Sequence, residues 1–370
     1  MNDEAFMRLA LASAAQVQGT TAPNPPVGAI VVRDGQVLGV GATRPVGGPH
    51  AEAEALASAR ANGHDPRGAT LYVTLEPCCH HGRTPPCTDA ILAAGIARVV
   101  VGCVDPFPPM RGKSLGLLQA AGVSVTLGVL GDASARSMLG FRRAVTTGLP
   151  EVTLKAAVSL DGRIATGTGE SKWITGEAAR VDAHALRARH DAVLVGIGTL
   201  LADDPRLTVR RDGELAQPRP VVLDTGLRIP AGAAVLRHPR GALVIAAEDA
   251  PDRELPATIL RVPRGASGHL DLEAALRGMA AAGLHRVLVE GGGIVHRAFI
   301  DARLFDALVI YLAAKLIPGG IPWVGGPALE ALAGAPRAEG APGVQLVGDD
   351  VRLDYRFTHR DGPVLPSTNL

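Results

Sequence analysis

The arrangement of apolar and polar positions predicts short helices and strands that alternate from the start of the chain. A stripe of apolar residues at helical spacing predicts a first helix from about Asp3 to Gln18. Apolar runs at 27–32 and 37–40 predict two strands, and Asp34-Gly35 between them can supply the positive φ angles of a tight hairpin. The chain therefore begins with a helix followed by a β-hairpin.

The same alternation continues along the chain and is interrupted once, by a Thr-Gly-Leu-Pro breaker at residues 147–150. Before the breaker, helices are predicted at 50–61, after Cys87 and near 114–121, and strands at 70–75, 98–104 and 123–127. After it, strands are predicted at 152–158, 192–196, 220–224, 242–246, 286–290 and 307–312, with helices near 176–188, 271–282 and 294–301. This pattern predicts two α/β domains, residues 1–146 and 150–370.

Length and composition agree with two domains and argue against several function classes. The 370 residues amount to about 2.5 domains of typical size, and 47% apolar residues can form large buried cores. The 37 basic and 36 acidic residues leave a net charge of +1, so no field of one sign attracts a polyanion or an anionic membrane. Aromatic residues, which stack on bases, make up only 3% of the chain. The composition therefore argues against a dedicated nucleic-acid binder.

The N-terminus and the cysteines indicate a reducing compartment. Acidic residues stand where a signal peptide needs positive charge, and no run of about 18 apolar residues predicts a membrane span. Three of the four cysteines lie within ten residues, which is unlike a disulfide framework and typical of a local thiol site. We therefore expect a cytoplasmic protein with neither a membrane nor a nucleic-acid partner.

The strongest chemical motif combines one histidine and two cysteines with an adjacent glutamate. His50, Cys78 and Cys87 supply three protein ligands, the number that a catalytic zinc ion takes when its fourth position is left for water. Glu52 follows His50 by two residues, at the start of a predicted helix, where it can accept a proton from water and pass it on. Both cysteines also precede predicted helix starts, where the helix dipole favours the thiolate. The motif predicts a catalytic zinc site that activates water.

Other interpretations of these residues are open from the sequence alone. A structural zinc site could take Cys79, His80 or His81 as a fourth ligand, and a disulfide could form instead. Cys103 is interpreted as a core thiol, and Cys79 as a neighbour without metal. The competing function classes are a nucleic-acid deaminase with a binding module and a non-catalytic, zinc-stabilised binding protein.

Three runs of the first half resemble the RibD family of bifunctional riboflavin-biosynthesis enzymes. They are Pro23 to Gly28 (PNPPVG), Gly47 to Glu52 (GGPHAE) and Thr74 to Cys87 (TLEPCCHHGRTPPC). The eight residues between the two cysteine ligands are typical of this branch, whereas the wider cytidine deaminase superfamily places a pair of residues there. The resemblance implies a cytidine-deaminase-like three-layer α/β domain that removes an amino group from 2,5-diamino-6-(5-phosphoribosylamino)pyrimidin-4(3H)-one.

The resemblance also implies substrate-binding residues in the first domain. Asn24 would hydrogen-bond the pyrimidine edge, because an amide offers both a donor and an acceptor. His80 and Arg83 would line the substrate entrance, with Arg83 as a partner for the phosphate. The family usually has Asp-Pro-Asn-Pro after the fourth strand, where this chain has Phe107 in place of the asparagine. We therefore expect no substrate contact of that kind from position 107.

Without the resemblance, the second half shows only two glycine turns that could bind a phosphate. Residues 193–199 and 287–293 are each predicted as a strand running into a glycine-rich turn, and a helix follows the second turn. Neither turn matches the dinucleotide-binding pattern Gly-x-Gly-x-x-Gly, and tight packing turns would explain both equally well.

Longer runs of the second half resemble the reductase domain of the same family. These runs are 153–163, 169–176, 201–210 and 288–292. The resemblance implies a dihydrofolate-reductase-like α/β domain that uses NADPH to reduce the ribosyl group of 5-amino-6-(5-phosphoribosylamino)uracil to a ribityl group. The alternative is an active deaminase joined to a second domain without catalytic activity.

The resemblance assigns the residues of this second site by their position in the motifs. Asp203 and Lys155 could assist protonation during hydride transfer. The cofactor would contact Ala157, Trp173, Thr199, Asp203, Thr225, Gly292 and Gly293. The substrate would contact Ser171, Arg187, Leu207, Arg210 and Glu290, with the arginines suited to a phosphate and the glutamate to sugar hydroxyls. We expect Zn2+ and NADPH as cofactors, a small phosphorylated pyrimidine as substrate, and a homo-oligomer.

Overall fold

The computed structural model describes residues 2–82, 84–210 and 216–357, and the described chain forms two units that divide between Gly148 and Leu149. Each unit has its own main β-sheet and its own apolar core. Among the described helices, none has both the length and the apolar character that crossing a bilayer requires.

The first unit contains six helices and five strands within its described residues. The helices are Asp3–Gln16 (α1), Ala51–Ala61 (α2), Cys87–Ala93 (α3), Lys113–Ala120 (α4), Gly131–Ser137 (α5) and Leu139–Thr147 (α6). The strands are Gly28–Arg33 (β1), Gln36–Ala42 (β2), Thr70–Leu75 (β3), Arg98–Cys103 (β4) and Ser124–Leu127 (β5).

The sheet of the first unit has helices on both of its faces. Its strand order is β2-β1-β3-β4-β5, in which β1 is antiparallel to β2 and β3, while β3, β4 and β5 are parallel. Successive residues of β1 point to opposite faces, so that Val31 packs in a core with α2, α3 and α4, whereas Ile30 packs against α1. This arrangement is the three-layer α/β fold that the sequence predicts.

Two glycines of β2 allow helix α2 to lie directly on the sheet. A Cβ atom at Gly41 would be 2.2 Å from the carbonyl oxygen of Ala51, and one at Gly39 would be 2.3 Å from that of Ala55. Only a residue without a side chain can be accommodated at such separations. Because α2 begins directly after His50, this close packing fixes the position of the first turn of the helix.

The second unit contains four helices and eleven strands within its described residues. The helices are Glu177–Ala188 (α7), Ile197–Asp203 (α8), Leu272–Ala281 (α9) and Gly293–Asp301 (α10). The strands are Glu151–Ser159 (β6), Arg163–Ala165 (β7), Ala192–Gly196 (β8), Arg219–Leu223 (β9), Ala242–Ala247 (β10), Ala257–Val262 (β11), Arg286–Val289 (β12), Ala307–Ala313 (β13), Ile321–Pro322 (β14), Glu339–Val347 (β15) and Asp350–Arg356 (β16).

Nine of these strands form one sheet with the order β11-β10-β9-β8-β12-β6-β13-β16-β15. Neighbouring strands are parallel from β11 to β13, and β16 and β15 add an antiparallel edge. The carboxyl ends of β8, β12 and β6 therefore meet at the same edge of the sheet. In open α/β sheets this is the edge where ligands bind.

The structure confirms most of the predicted elements, with bounds that differ by a few residues. The hairpin turn is at Asp34-Gly35 as predicted, with φ angles of 51° and 79°. Residues 197–199 are predicted as a glycine turn, but in the structure they begin α8. The sequence does not mark this helix start, because its N-cap residue is Gly196, which has no polar side chain to cap the helix. The pattern also does not predict α5, α6, β7, β11, β14, β15 or β16. Most residues of β15 are exposed, so this strand lacks the alternation of apolar and polar residues that identifies a half-buried strand.

We expect the core of the first unit to tolerate truncation of Leu71 poorly. Leu71 on the central strand β3 is fully buried (0% exposed), so Leu71→Ala should lower the free energy of unfolding by about 2–5 kcal/mol through lost burial and a cavity. The control variant Leu117→Ala removes a leucine of α4 that is 53% exposed. It should change the free energy of unfolding by less than about 0.5 kcal/mol. Urea unfolding followed by circular dichroism measures the free energy of unfolding of both variants. If both variants lose the same stability, the assignment of Leu71 to the core is contradicted.

Two candidate active sites

The first candidate site lies beyond the end of β3, where three donor atoms from separate segments converge. His50 is the N-cap residue of α2, Cys78 lies in the loop after β3, and Cys87 is the first residue of α3. The Sγ atoms of Cys78 and Cys87 are each 3.4 Å from Nδ1 of His50. All three ligand atoms lie within 4.8 Å of one another, so that one metal ion can contact them together.

This set of donors fits a catalytic zinc ion. Zinc prefers imidazole nitrogen and thiolate sulfur, and three protein donors leave its fourth position open. Within the described residues the group has no fourth member, since Cys79 is not part of it and both His80 and His81 are exposed. The four cysteines are free thiols, and Cys103 donates its thiol hydrogen to the carbonyl oxygen of Thr74 in the core. The arrangement favours an open zinc site over a closed one or a disulfide.

The two cysteines are stabilised in different ways. Cys87 begins α3 as the sequence predicts, but no helix starts after Cys78, so the predicted second helix start is wrong. Cys78 instead accepts the backbone N–H of Cys87 at 3.3 Å. Hydrogen bonds from the Cys87 thiol and from His50 lower the pKa of Cys78, and the contact with Cys78 raises the pKa of Cys87. The backbone N–H of Cys87 therefore stabilises a thiolate at Cys78.

Glu52 lies beside these three donors without joining them. Its side chain is in the first turn of α2, and the residue is only 4% exposed. Burial, with the charge of nearby Cys78 acting in the same direction, raises the pKa of the Glu52 carboxyl group to about 7. A carboxyl group with this pKa can both accept and return a proton at neutral pH.

The other residues predicted for this site lie around it. Asn24 is half-buried in the bend before β1, and His80 is exposed in the loop after β3. Arg83 lies outside the described residues. Phe107 is 43% exposed, and its backbone N–H donates to Oδ1 of Asp105 at 2.8 Å. Asp105 thus holds this turn in the absence of the family's asparagine.

Two residues to which the sequence analysis gave no role contact this site or its loops. Oγ1 of Thr84 is 3.5 Å from Nε2 of His50, the ring nitrogen that does not contact the cysteines. Glu76 is 3% exposed and accepts hydrogen bonds from the segment that follows β4. The sequence carries a signal for Glu76, an acidic residue directly after a buried strand, and none for Thr84.

The second candidate site lies where β6, β8 and β12 approach their carboxyl ends. Lys155 is on β6, Glu290 follows β12 directly, and Arg187 on α7 pairs with Glu290. The backbone N–H of Glu290 donates to the carbonyl oxygen of Leu194 on β8 at 2.9 Å, which continues the strand pairing to this residue. Segments that are distant in the sequence thus bring charged side chains to one edge of the sheet.

Arg187 and Glu290 form a partly buried, bidentate ion pair at this edge. Nε and Nη2 of Arg187 each donate to a different carboxylate oxygen of Glu290 at 2.7 Å. Burial alone would raise the pKa of Glu290, but the charges of Arg187 and Lys155 outweigh it and lower that pKa to about 2. Glu290 is therefore ionised at neutral pH. Burial lowers the pKa of Lys155, whose Nζ is 5.5 Å from the centre of the Tyr311 ring.

Arg210 has more of its guanidinium available for a phosphate than Arg187 has. Arg187 donates not only to Glu290 but also from Nη1 to the carbonyl oxygen of Thr208 at 3.1 Å. Arg210 is exposed, and its backbone N–H donates to Nδ1 of His184 at 3.3 Å. Burial and the charges of the two arginines lower the pKa of His184 to about 4, so its imidazole is neutral and can accept this hydrogen bond.

Thr199 and two predicted glycines lie close together at the start of α8 and α10. Gly292 is the N-cap of α10 and Gly293 is its first residue. A Cβ atom at Gly292 would be 3.6 Å from the hydroxyl oxygen of Thr199, so glycine leaves the space between the two residues open. The first backbone N–H groups of α10 have no carbonyl partner within the helix and suit a phosphate of a nucleotide cofactor. These residues fit the predicted NADPH site.

The remaining predicted residues of the second site lie mainly on loops. Trp173 is 61% exposed, and the guanidinium carbon of Arg180 is 4.6 Å from the centre of its ring. Asp203 pairs with Lys172 at 3.5 Å, and not with Lys155. Thr225 follows β9, which β8 separates from β12 in the sheet. The side chains of Ala157, Ser171 and Thr225 are half-buried, and that of Leu207 is buried.

The sequence analysis did not predict the residues that surround Lys155. The hydroxyl of Tyr311 donates to Oδ2 of Asp182 at 2.6 Å, and Arg352 donates to the same oxygen at 2.8 Å. Burial and the hydrogen bond to Asp182 raise the pKa of Tyr311 far above its usual value. The Tyr311 ring beside Lys155 is thus held by two residues, Asp182 on α7 and Arg352 on β16, which no local motif connects to it.

Sequence models of two families match the chain, one in each half. The model described as the cytidine and deoxycytidylate deaminase zinc-binding region matches residues 1–103. The model described as the RibD C-terminal domain matches residues 150–344. The first match includes the three donor residues, and the second includes Lys155, Arg187 and Glu290.

Relatives and solved structures match the chain over nearly its whole length. The riboflavin biosynthesis protein RibD of Escherichia coli (strain K12) is 40% identical, covering 95% of this chain and 99% of that protein. RibD of Aquifex aeolicus (strain VF5) is 40% identical, covering 86% of this chain and 89% of that protein. The structure of Acinetobacter baumannii RibD, form 1, has 37% identity and a TM-score of 0.86, covering 96% of this chain and 99% of that chain. A Thermotoga maritima structure described as a diaminohydroxyphosphoribosylaminopyrimidine deaminase/5-amino-6-(5-phosphoribosylamino)uracil reductase has 36% identity and a TM-score of 0.85, covering 96% and 99%.

These similarities extend over both halves of the chain. They confirm the predicted fold class, a cytidine-deaminase-like α/β domain followed by a dihydrofolate-reductase-like α/β domain. The chain therefore belongs to the RibD family of riboflavin biosynthesis, as a bifunctional enzyme with a deaminase domain and a reductase domain.

Proposed function

We propose that the chain catalyses two consecutive steps, one in each domain. Residues 1–146 form the deaminase, which hydrolyses 2,5-diamino-6-(5-phosphoribosylamino)pyrimidin-4(3H)-one with the aid of zinc and releases ammonia. Residues 150–370 form the reductase, which uses NADPH to convert the ribosyl group of 5-amino-6-(5-phosphoribosylamino)uracil to a ribityl group. The convergence of the three metal donors beside the buried Glu52 carries the proposal, and the description of the Thermotoga maritima relative supports both steps.

In the first step, His50, Cys78 and Cys87 hold the zinc ion. When bound, zinc lowers the pKa of water and so provides a nucleophile at neutral pH. Glu52 takes up a proton at a carboxylate oxygen and returns it to the leaving amino group. Its burial next to the donors keeps this carboxyl group in a fixed position and out of bulk water.

Substrate recognition in the first step uses polar groups around the donors. The amide of Asn24 pairs with the edge of the pyrimidine, because it can donate and accept at once. His80 lines the entrance, and Arg83, which the resemblance assigns to the same site, suits the phosphate by the charge and shape of its guanidinium group.

In the second step, charged residues hold the substrate and move a proton. Arg210 binds the phosphate, and Arg187 keeps Glu290 ionised, so that the carboxylate accepts hydrogen bonds from ribose hydroxyls. NADPH supplies the hydride. Lys155 and Asp203 are the groups that move a proton at the ribose. Ser171 and Leu207 complete the substrate site, and the cofactor contacts Ala157, Trp173, Thr199, Asp203, Thr225, Gly292 and Gly293.

We place this enzyme in the cytoplasm, as a homo-oligomer that acts on a small phosphorylated pyrimidine. The donor set needs free thiols, which a reducing compartment maintains. Val344 and Leu346 on the edge strand β15 are 64% and 78% exposed. Among the described strands, β15 has a neighbour on one side only, and an exposed apolar edge strand pairs readily with another chain, which supports the homo-oligomer.

Glu52→Gln tests the proton transfer in the deaminase. Because an amide cannot take up the proton, we expect deaminase turnover to fall by about 100- to 10,000-fold, with zinc content and reductase activity unchanged. Glu54→Gln is the matched control, since Glu54 lies on the same helix and pairs with Arg44 at 2.7 Å. Ammonia release and metal analysis measure the outcome. If Glu52→Gln keeps both its zinc and full turnover, the role of Glu52 is wrong.

Arg210→Gln tests the phosphate contact in the reductase. Loss of a charged hydrogen bond should raise the KM for the phosphorylated substrate about ten- to a hundredfold, while the KM for NADPH and the deaminase activity stay unchanged. Arg189→Gln is the matched control, because Arg189 is exposed at the end of α7. The rate of NADPH oxidation at varied substrate concentration gives both constants. A rise in the KM for NADPH instead would assign Arg210 to the cofactor.

A further inference from the structure

The carboxylate of Glu76 binds both ends of the segment 105–114. Its Oε2 accepts the backbone N–H groups of Asp105 at 3.1 Å and of Gly112 at 2.9 Å. Its Oε1 accepts the backbone N–H and the hydroxyl of Ser114, at 3.2 Å and 2.9 Å. Four hydrogen bonds thus join one buried side chain to the segment between β4 and the first turn of α4.

These hydrogen bonds require a carboxylate at position 76. Burying an ionised carboxylate is costly unless its oxygens accept hydrogen bonds, and here three backbone groups and one hydroxyl supply them. An amide of the same size has only one oxygen. Its NH2 group would face two of the donors and leave them without an acceptor, so Glu76→Gln should release one side of the segment.

The segment that Glu76 holds borders the first candidate site. Glu76 comes two residues before the proposed zinc donor Cys78, and its backbone N–H donates to the carbonyl oxygen of Cys103, the last residue of β4, at 2.9 Å. The hydrogen bonds of the Glu76 side chain then hold residues 105, 112 and 114 next to this point. The segment therefore lies beside the loop that carries a zinc donor and a predicted substrate residue.

We propose that Glu76 is a positioning residue of the deaminase, whose carboxylate fixes the segment 105–114 as a wall of the substrate site beside His80. The inference rests on the deamination proposed above. Glu76 acts through the segment, since its oxygens are occupied by the segment's own donors. When the segment is released, the substrate loses a fixed surface, so binding weakens while the proton transfer at Glu52 is left intact.

The test is the steady-state kinetics of the full-length, zinc-loaded Glu76→Gln variant. We expect the KM for the diaminopyrimidine phosphate to rise about tenfold, with kcat per bound zinc within about twofold of the wild type. Zinc content and reductase kinetics should not change. Glu4→Gln is the matched control, because it makes the same change at an exposed glutamate of the same unit and should leave KM unchanged.

A purely structural role for Glu76 gives a different result. Partial unfolding lowers the apparent kcat through loss of active enzyme and leaves the KM of the folded fraction unchanged. That result, or a KM equal to the wild type, overturns the proposal.

Loss of zinc from the Glu76→Gln variant would show that this variant does not fold. In that case Ser114→Ala tests the positioning role of Glu76. It removes one of the four donors, and we expect KM to rise about two- to threefold. An unchanged KM in this variant overturns the proposal. If the wild-type chain itself releases no ammonia, the proposed deamination is wrong, which separates that failure from the failure of this inference.

Discussion

A charged group in a protein interior must be compensated by hydrogen bonds or by an opposite charge, and both candidate sites depend on this constraint. Burial raises the pKa of Glu52 to about 7, so its carboxyl group can exchange a proton. Glu290 is partly buried, and its bidentate pair with Arg187 and the charge of Lys155 lower its pKa to about 2 and keep it ionised. The same type of side chain thus has a pKa near neutrality at one site and is a fixed anion at the other, because its surroundings differ.

The two folds bring such groups together by similar means. In the first unit, α2 packs on two glycines of the sheet and places His50 and Glu52 next to the loop after β3. In the second unit, β12 pairs in parallel with β6, with Val289 opposite Leu154, and this brings Glu290 and Lys155, the next residue of each segment, side by side. The net charge of +1 fits this chemistry, since a small phosphorylated substrate needs a few placed arginines rather than a charged surface. Joining the domains is chemically reasonable, because the product of the first step is the substrate of the second.

Local features of the sequence predicted most of the fold and the donor set, whereas contacts between distant segments were not predictable. The hairpin at Asp34-Gly35 follows from turn chemistry, and the candidate metal donors follow from residue types at a recognisable spacing. Other contacts depend on how the chain folds and have no local signal. Examples are the backbone N–H that stabilises Cys78, the donors that Glu76 binds, and the hydrogen bond between Tyr311 and Asp182.

Strand β15 was not predicted because most of it is exposed and it shows no alternation of apolar and polar residues. The residues of the second site were assigned by resemblance. The glycine turns alone could not assign them, because they are explained equally well by tight packing and by a phosphate site.

The most direct test of the two-step account supplies the diaminopyrimidine phosphate to the full-length chain with and without NADPH and identifies the products by mass. Without NADPH, the account predicts a product one mass unit heavier than the substrate, because an amino group is replaced by oxygen. With NADPH, it predicts a further gain of two mass units, because a hydride and a proton are added. A reaction that stops after the first gain in the presence of NADPH would contradict the account and support a second domain without catalytic activity, and the absence of any gain would contradict the deaminase.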